Sequence, residues 1–118
     1  MGTVLNNTNT RKLGLAFVDD LKKPEKVQKG SVAAVSSDPT VATIAVDPSE
    51  TFATITPVDG ADSGLDATGV PVELSFTITA DSDKGAGVRE ISAVYSCAVV
   101  GADATSIQVT EAGDTPKP

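Results

Sequence analysis

The sequence predicts an all-β protein: a two-layer sandwich of about seven short antiparallel strands. Residues 72–80 alternate without a miss. Val72, Leu74, Phe76, Ile78 and Ala80 point one way, and Glu73, Ser75, Thr77 and Thr79 the other, as on a strand with one dry and one wet face. Turn-forming clusters of Asp, Pro, Gly and Ser recur about every ten residues, a spacing that suits short strands and not helices. The apolar residues are mostly Val, Ile, Leu and Ala, with three Phe, one Tyr and no Trp, and runs of helix-forming residues are absent. A small closed barrel shares this periodicity and is the alternative architecture.

In chain order, residues 1–11 read as a polar N-terminal arm in which only Val4 and Leu5 could anchor. Residues 12–110 form the domain. Leu13, Leu15 and Phe17 alternate with Lys12, Gly14 and Ala16 in a first strand, and a charged turn over 19–26 follows, since Pro24 lacks the donor a central strand needs. A second strand lies within 27–37, with Val32 and Val35 as its best apolar residues. Asp38-Pro39 turns into a short strand over 41–46, and Asp47-Pro48 turns back into one over 51–58, with Phe52 and Ile55 as anchors on opposite faces.

Residues 59–69 hold three Gly and three Asp and read as a loop at one end of the domain. The second half of the central hairpin places Ile91, Ala93, Tyr95, Cys97 and Val99 on one face. After a turn over 101–104, Ile107 and Val109 are expected to face inward from a last strand over 106–110. Residues 111–118, with two prolines, are a solvated C-terminal tail.

The chain has 118 residues, room for one domain, and 16 acidic against nine basic residues, a net charge of −7. Such a surface repels phosphate backbones, so nucleic acid is not an expected partner. No apolar run approaches the roughly 20 residues that span a bilayer, and the N-terminus lacks the charged start and apolar stretch of a secretory signal. No membrane partner is expected. The lone Cys97 can form no internal disulfide and reads as a small buried hydrophobe.

Histidine is absent, so no Ser-His-Asp or Cys-His arrangement can form, and the acids lie mostly in turns. The expectation is a non-enzymatic protein without a cofactor. Asp81-x-Asp83-x-Gly85 resembles the opening of a calcium loop, but Ser92 occupies the twelfth position where an acid is needed. A solvated hairpin turn is therefore preferred, with Asp81 and Asp83 left as the only candidate cation ligands. Contacts with a partner are expected from Val4, Leu5, Asn6 and Asn7 of the arm, from Lys22 and Lys23 in the charged turn, and from Asp62 and Asp66 in the long loop.

The segment Ser36-Ser37-Asp38-Pro39-Thr40-Val41-Ala42-Thr43-Ile44 resembles the bacterial immunoglobulin-like modules, whose pattern is two serines followed by Asp-Pro-x-Val-Ala-x-Val. The stretch Thr79-Ala80-Asp81-Ser82-Asp83-Lys84-Gly85-Ala86-Gly87-Val88-Arg89-Glu90-Ile91 resembles small stand-alone immunoglobulin-like proteins encoded among tailed-phage structural genes. The resemblance covers roughly residues 12–112 and implies an immunoglobulin-like sandwich. It also implies a virion structural protein, made in the host cytoplasm, that decorates or cements the capsid. The implied partners are the major capsid protein or another virion protein, together with further copies of the chain; a homotrimer would suit capsid three-fold positions. Against the bacterial surface modules, the chain is a single copy without an export signal or wall anchor. A module that recognises a host-surface glycan or protein, in the virion or as an adhesin-type domain, is the alternative.

Overall fold

Seven strands make up the computed structural model, which describes residues 3–83, 85, 87–101 and 107–117; none of these is helical. The strands are β1 (Thr3–Asn6), β2 (Arg11–Gly14), β3 (Ala33–Ser36), β4 (Ala42–Val46), β5 (Phe52–Pro57), β6 (Glu73–Asp81) and β7 (Glu90–Val100). They form two sheets, one in the order β1-β7-β6-β3 and the other β2-β5-β4. The chain thus changes sheet four times and stays within one only at the β4–β5 and β6–β7 hairpins.

The β6–β7 hairpin is the longest pairing, with Glu73 opposite Ala98 at one end and Asp81 opposite Glu90 at the other. Its alternation places Leu74, Phe76, Ile78 and Ala80 on the inner face, and all four are buried. Phe76 is fully buried at the centre of a cluster with Leu5, Ala42, Ile55, Leu74, Cys97 and Val99. Leu13, Val41, Ile44 and Tyr95 pack against that cluster as a partly buried surround. Two-sided closure of this kind follows from period-two patterning, which gives each sheet one apolar face to hide.

Short polar side chains build the turns. Asp47 accepts the backbone N–H of Ser49 at 2.8 Å and the hydroxyl of the same residue, and the Asp47 N–H donates to the Phe52 carbonyl at 2.9 Å. The same Asx-turn device recurs at Asn6 with Thr8, Asp38 with Thr40 and Asp66 with Thr68. Much of the acidic composition is therefore turn chemistry. Glu50, held at φ 61°, accepts the N–H groups of Gly30 at 2.9 Å and Val32 at 3.1 Å, which fixes the crossover before β3 to the β4–β5 turn.

Several expectations need correction. The arm over 1–11 contains β1, which pairs parallel with β7 from Thr3–Cys97 to Asn6–Val100 and buries Leu5 in the core. One pairing is thus parallel in a sheet expected to be wholly antiparallel. Four residues are too few for periodicity to reveal a strand; the open main-chain edge of β7 is what orders them. At the other end, Ser106 and the turn past Gly101 lie outside the described residues. Residues 107–110 form no strand, and Ile107 and Val109 are 88% and 89% exposed. Next to β7 at its C-terminal end, β1 already occupies the edge such a strand would need.

Val35 faces outward and is exposed, because the register of β3 on β6 sets it opposite Thr77 on the wet face. Ile55 and Phe52 do lie on opposite faces: Ile55 is buried, and Phe52 sits outside, beneath the Lys12 ammonium 4.0 Å from its ring centre. Residues 107–117, all exposed, run away from the sandwich. The extents are accordingly 88 × 29 × 26 Å. The radius of gyration is 20.9 Å, where a compact chain of this length would have about 13 Å.

Leu5→Ala is expected to cost about 2–5 kcal/mol, the range of a buried leucine truncation, read as a lowered urea midpoint. An unchanged midpoint would mean that β1 is a loose arm and not part of the core.

Candidate functional site

β7 is the spine of the candidate site, and its two ends differ. At the C-terminal end Arg11 reaches across from β2. One guanidinium nitrogen donates to Thr3 Oγ1 at 2.6 Å and to Tyr95 Oη at 3.1 Å, and the other to the Val4 carbonyl at 3.1 Å. Thr3 Oγ1 and Tyr95 Oη are themselves 2.9 Å apart. This clasp ties β1 to both sheets. The loop over 59–69 is fastened to the same end. Ser63 exchanges hydrogen bonds with Val99 through its N–H at 2.8 Å and its hydroxyl at 3.0 and 3.1 Å, and Asn7 Nδ2 donates to the Ala61 carbonyl at 2.8 Å.

Between the ends lies the outer face of the β1-β7-β6-β3 sheet. Register places Val35, Thr77 and Val94 in one row across three strands, and Ala33, Thr79 and Ser92 in the next. Ser75 with Ser96, and Val4 with Ala98, continue the face towards β1. Apart from Glu73, Asp81 and Glu90 at its margins, this face carries no charge, in a chain where 21% of residues are charged. Val35 and Val94 are 66% and 62% exposed, and Val4 about half. A neutral face of small side chains would lose little side-chain entropy on docking.

Of the residues expected to meet a partner, Val4 and Asp66 line one shallow pocket with Val70, Val72 and Glu73 beside β1. Asn7 and Asp62 meet at Gly101, where a Cβ would lie about 4 Å from both side chains. The structure therefore gathers Val4, Asn6, Asn7, Asp62 and Asp66 around the C-terminal end of β7. Leu5 is withdrawn into the core. Lys22, in a left-handed conformation with φ 63°, and Lys23 sit in the turn over 19–24. Neighbouring Phe17 and Val18 border Arg89 and Ile91 at the opposite end of β7. The two lysines belong to a separate surface.

Asp81 Oδ1 accepts the N–H groups of Asp83 and Arg89, both at 2.9 Å, and Asp83 Oδ1 that of Gly85 at 2.8 Å. Both carboxylates thus brace the hairpin turn. A Cβ at Gly87 would come 2.6 Å from Asp83 Oδ2, so any larger residue there would require that carboxylate to move. Among the described residues no three acids or cysteines converge as a metal site would require. Lys84 and Ala86 of this turn lie outside the described residues.

Cys97 is buried, and burial pushes its thiol up, with the Arg11 charge opposing and Glu73 reinforcing. It is held as a neutral thiol, poorly placed to react. Asp47 and Asp66 both sit below their ordinary value of 3.8, chiefly through the hydroxyls of Ser49 and Thr68.

No family model, curated protein or solved structure matches the chain.

The outer face escaped sequence reasoning because it is a property of register. The signal available was the uncharged run Ser75, Thr77 and Thr79 on the wet side of β6.

A depressed folded carboxyl stabilises the fold above its unfolded value and loses that contribution as pH falls through the folded one. The contribution of Asp47 and Asp66 to stability should be complete at neutrality and fall away as pH drops towards and below 3.8. Urea midpoints measured against pH should show this fall, and Asp66→Asn should make it shallower. Arg11→Ala should destabilise by about 1–3 kcal/mol, as expected when charged hydrogen bonds are lost. It should also speed hydrogen exchange in β1, a change that Lys at the same position would only partly repair.

Proposed function

We propose that this chain is a non-enzymatic structural protein, an immunoglobulin-like sandwich that docks on a phage capsid shell and stabilises it. The observation that carries the docking role is the neutral outer face of the β1-β7-β6-β3 sheet, with Val4, Val35 and Val94 exposed on a four-stranded sheet. A preformed surface loses little entropy on binding, and whatever binds only the assembled shell raises that shell's stability.

Support for the immunoglobulin type comes from topology. The second, third, fourth, fifth, sixth and last strands divide between the sheets as the B, C, D, E, F and G strands of such domains do, β2-β5-β4 facing β3-β6-β7. Support for a virion setting comes from the resemblance of residues 79–91 to small immunoglobulin-like proteins encoded among tailed-phage structural genes. The major capsid protein is the proposed partner, with the virion as the place of work.

The long loop is a poorer recognition surface than the sheet face. Asp62 and Asp66 each commit a carboxylate oxygen to the loop's own N–H groups, at 3.0 and 2.8 Å.

Purified protein should bind saturably to shells assembled from major capsid protein alone. Contact through an uncharged face should leave affinity nearly flat as salt rises, whereas contact through Lys22 and Lys23 would weaken steeply. Val94→Lys and Val35→Lys, both at exposed positions, should lower affinity by about tenfold or more while leaving the melting curve in place. Absence of binding at every ionic strength would overturn the proposal.

A further inference from the structure

β6 covers one edge of β7 from Glu90 to Ala98, but β1 covers the other only from Cys97 to Val100. The Ser82 N–H donates to the Arg89 carbonyl, and the Asn7 N–H to the Val100 carbonyl on the opposite edge. With main-chain direction alternating between those points, the N–H and C=O groups of Glu90, Ser92 and Val94 face away from β6. Among the described residues no strand meets them. Such an edge is a template for one more strand.

Beside this edge the two sheets gape. A cleft of about 440 Å³ opens between Leu13, Leu15 and Phe17 on one side and Ile78, Ala80 and Ile91 on the other. Ile91 is 38% exposed and Ala93 exposed, although both point to the same inner face as the buried Cys97 and Val99. Leu5 of β1 closes the sandwich at one end of β7, and among the described residues nothing equivalent closes the other.

The same chain carries a segment of strand-like alternation that joins neither sheet. Ile107 and Val109 alternate with Gln108 and Thr110, and all four are exposed. Six residue steps separate Gly101 from Ile107, a reach of at most about 21 Å. Eight steps along β7 separate Gly101 from Ala93, about 26 Å. Ile107 therefore cannot come level with Ala93 of its own β7, and the part of that edge nearer Gly101 is filled by β1.

We propose that residues 107–111 of a second copy add to the open edge of β7 as an antiparallel strand. Ile107 then lies opposite Ala93, Val109 opposite Ile91 with its side chain in the cleft, and Glu111 opposite Arg89, an acidic residue meeting a basic one. Main-chain hydrogen bonds supply the attachment and the alternating apolar side chains the register. Reciprocal exchange of two tails closes a dimer, and one-way exchange closes a ring. This surface is the edge and interior of the sandwich, distinct from the outer face proposed to meet a shell.

The test needs no shell, so its result is independent of the docking proposal. Sedimentation of the full-length protein across a dilution series should show self-association, and Ile107→Asp with Val109→Asp should weaken it by about tenfold or more. Those side chains are solvent-exposed in the single chain, so its circular dichroism and melting should be unchanged. In the full-length Ser92→Cys, Gln108→Cys double variant, oxidation should give covalent dimers or larger species on a non-reducing gel. Neither single variant should form the heterologous bond. A monomer at every concentration, association indifferent to the tail substitutions, or a disulfide confined within one chain would each overturn the inference.

Discussion

The long pairing of β6 with β7 is the constraint on which the rest of the structure depends. Nine consecutive residue pairs hold the two strands in one register. That register decides at once which side chains enter the core and which form the outer face. A slip of one residue would carry Phe76 and Ile78 to solvent and bring Thr77 and Thr79 inside. Asp81 secures the register from the turn by accepting the N–H groups of Asp83 and Arg89, and Ser63 secures the far end through Val99. β3 and β1 then add at either side of a pair whose geometry is already set.

Charge is distributed to suit this arrangement. The acids cluster in turns, where their oxygens replace main-chain acceptors, and they leave the broad faces of the larger sheet to Ser, Thr, Val and Ala. Arg11 is put to a different use, crossing between the sheets to hold Thr3, Val4 and Tyr95. A chain with net charge −7 can thus be strongly acidic as a whole and still present a neutral platform. The charged turns and the neutral face occupy separate parts of the surface.

The two proposed contacts also lie on separate parts. A sheet face binds by side-chain area, whereas a strand edge binds by main-chain hydrogen bonds and is indifferent to most side chains. The first suits a partner of different sequence. The second suits another copy, because the tail and the gap it fills are present in every chain.

The hairpin over 72–100, the turn residues, the burial of Cys97 and the all-β character are legible in the sequence, because each follows from local alternation or from the conformations that Pro, Gly and Asp favour. Phe76 and Ile78 read directly as core. The clustering of Val4, Asn7, Asp62 and Asp66 at one end of β7 does not, since it arises from a parallel pairing between residues more than ninety positions apart. Nor could periodicity tell Leu5 from an unanchored arm residue, or show that Ile107 and Val109 lack a place in their own sandwich. Alternation determined which strands could exist and which face of each was dry. Only the tertiary structure decided which edge received β1, because one edge can accept a single strand and the first to occupy it excludes the other.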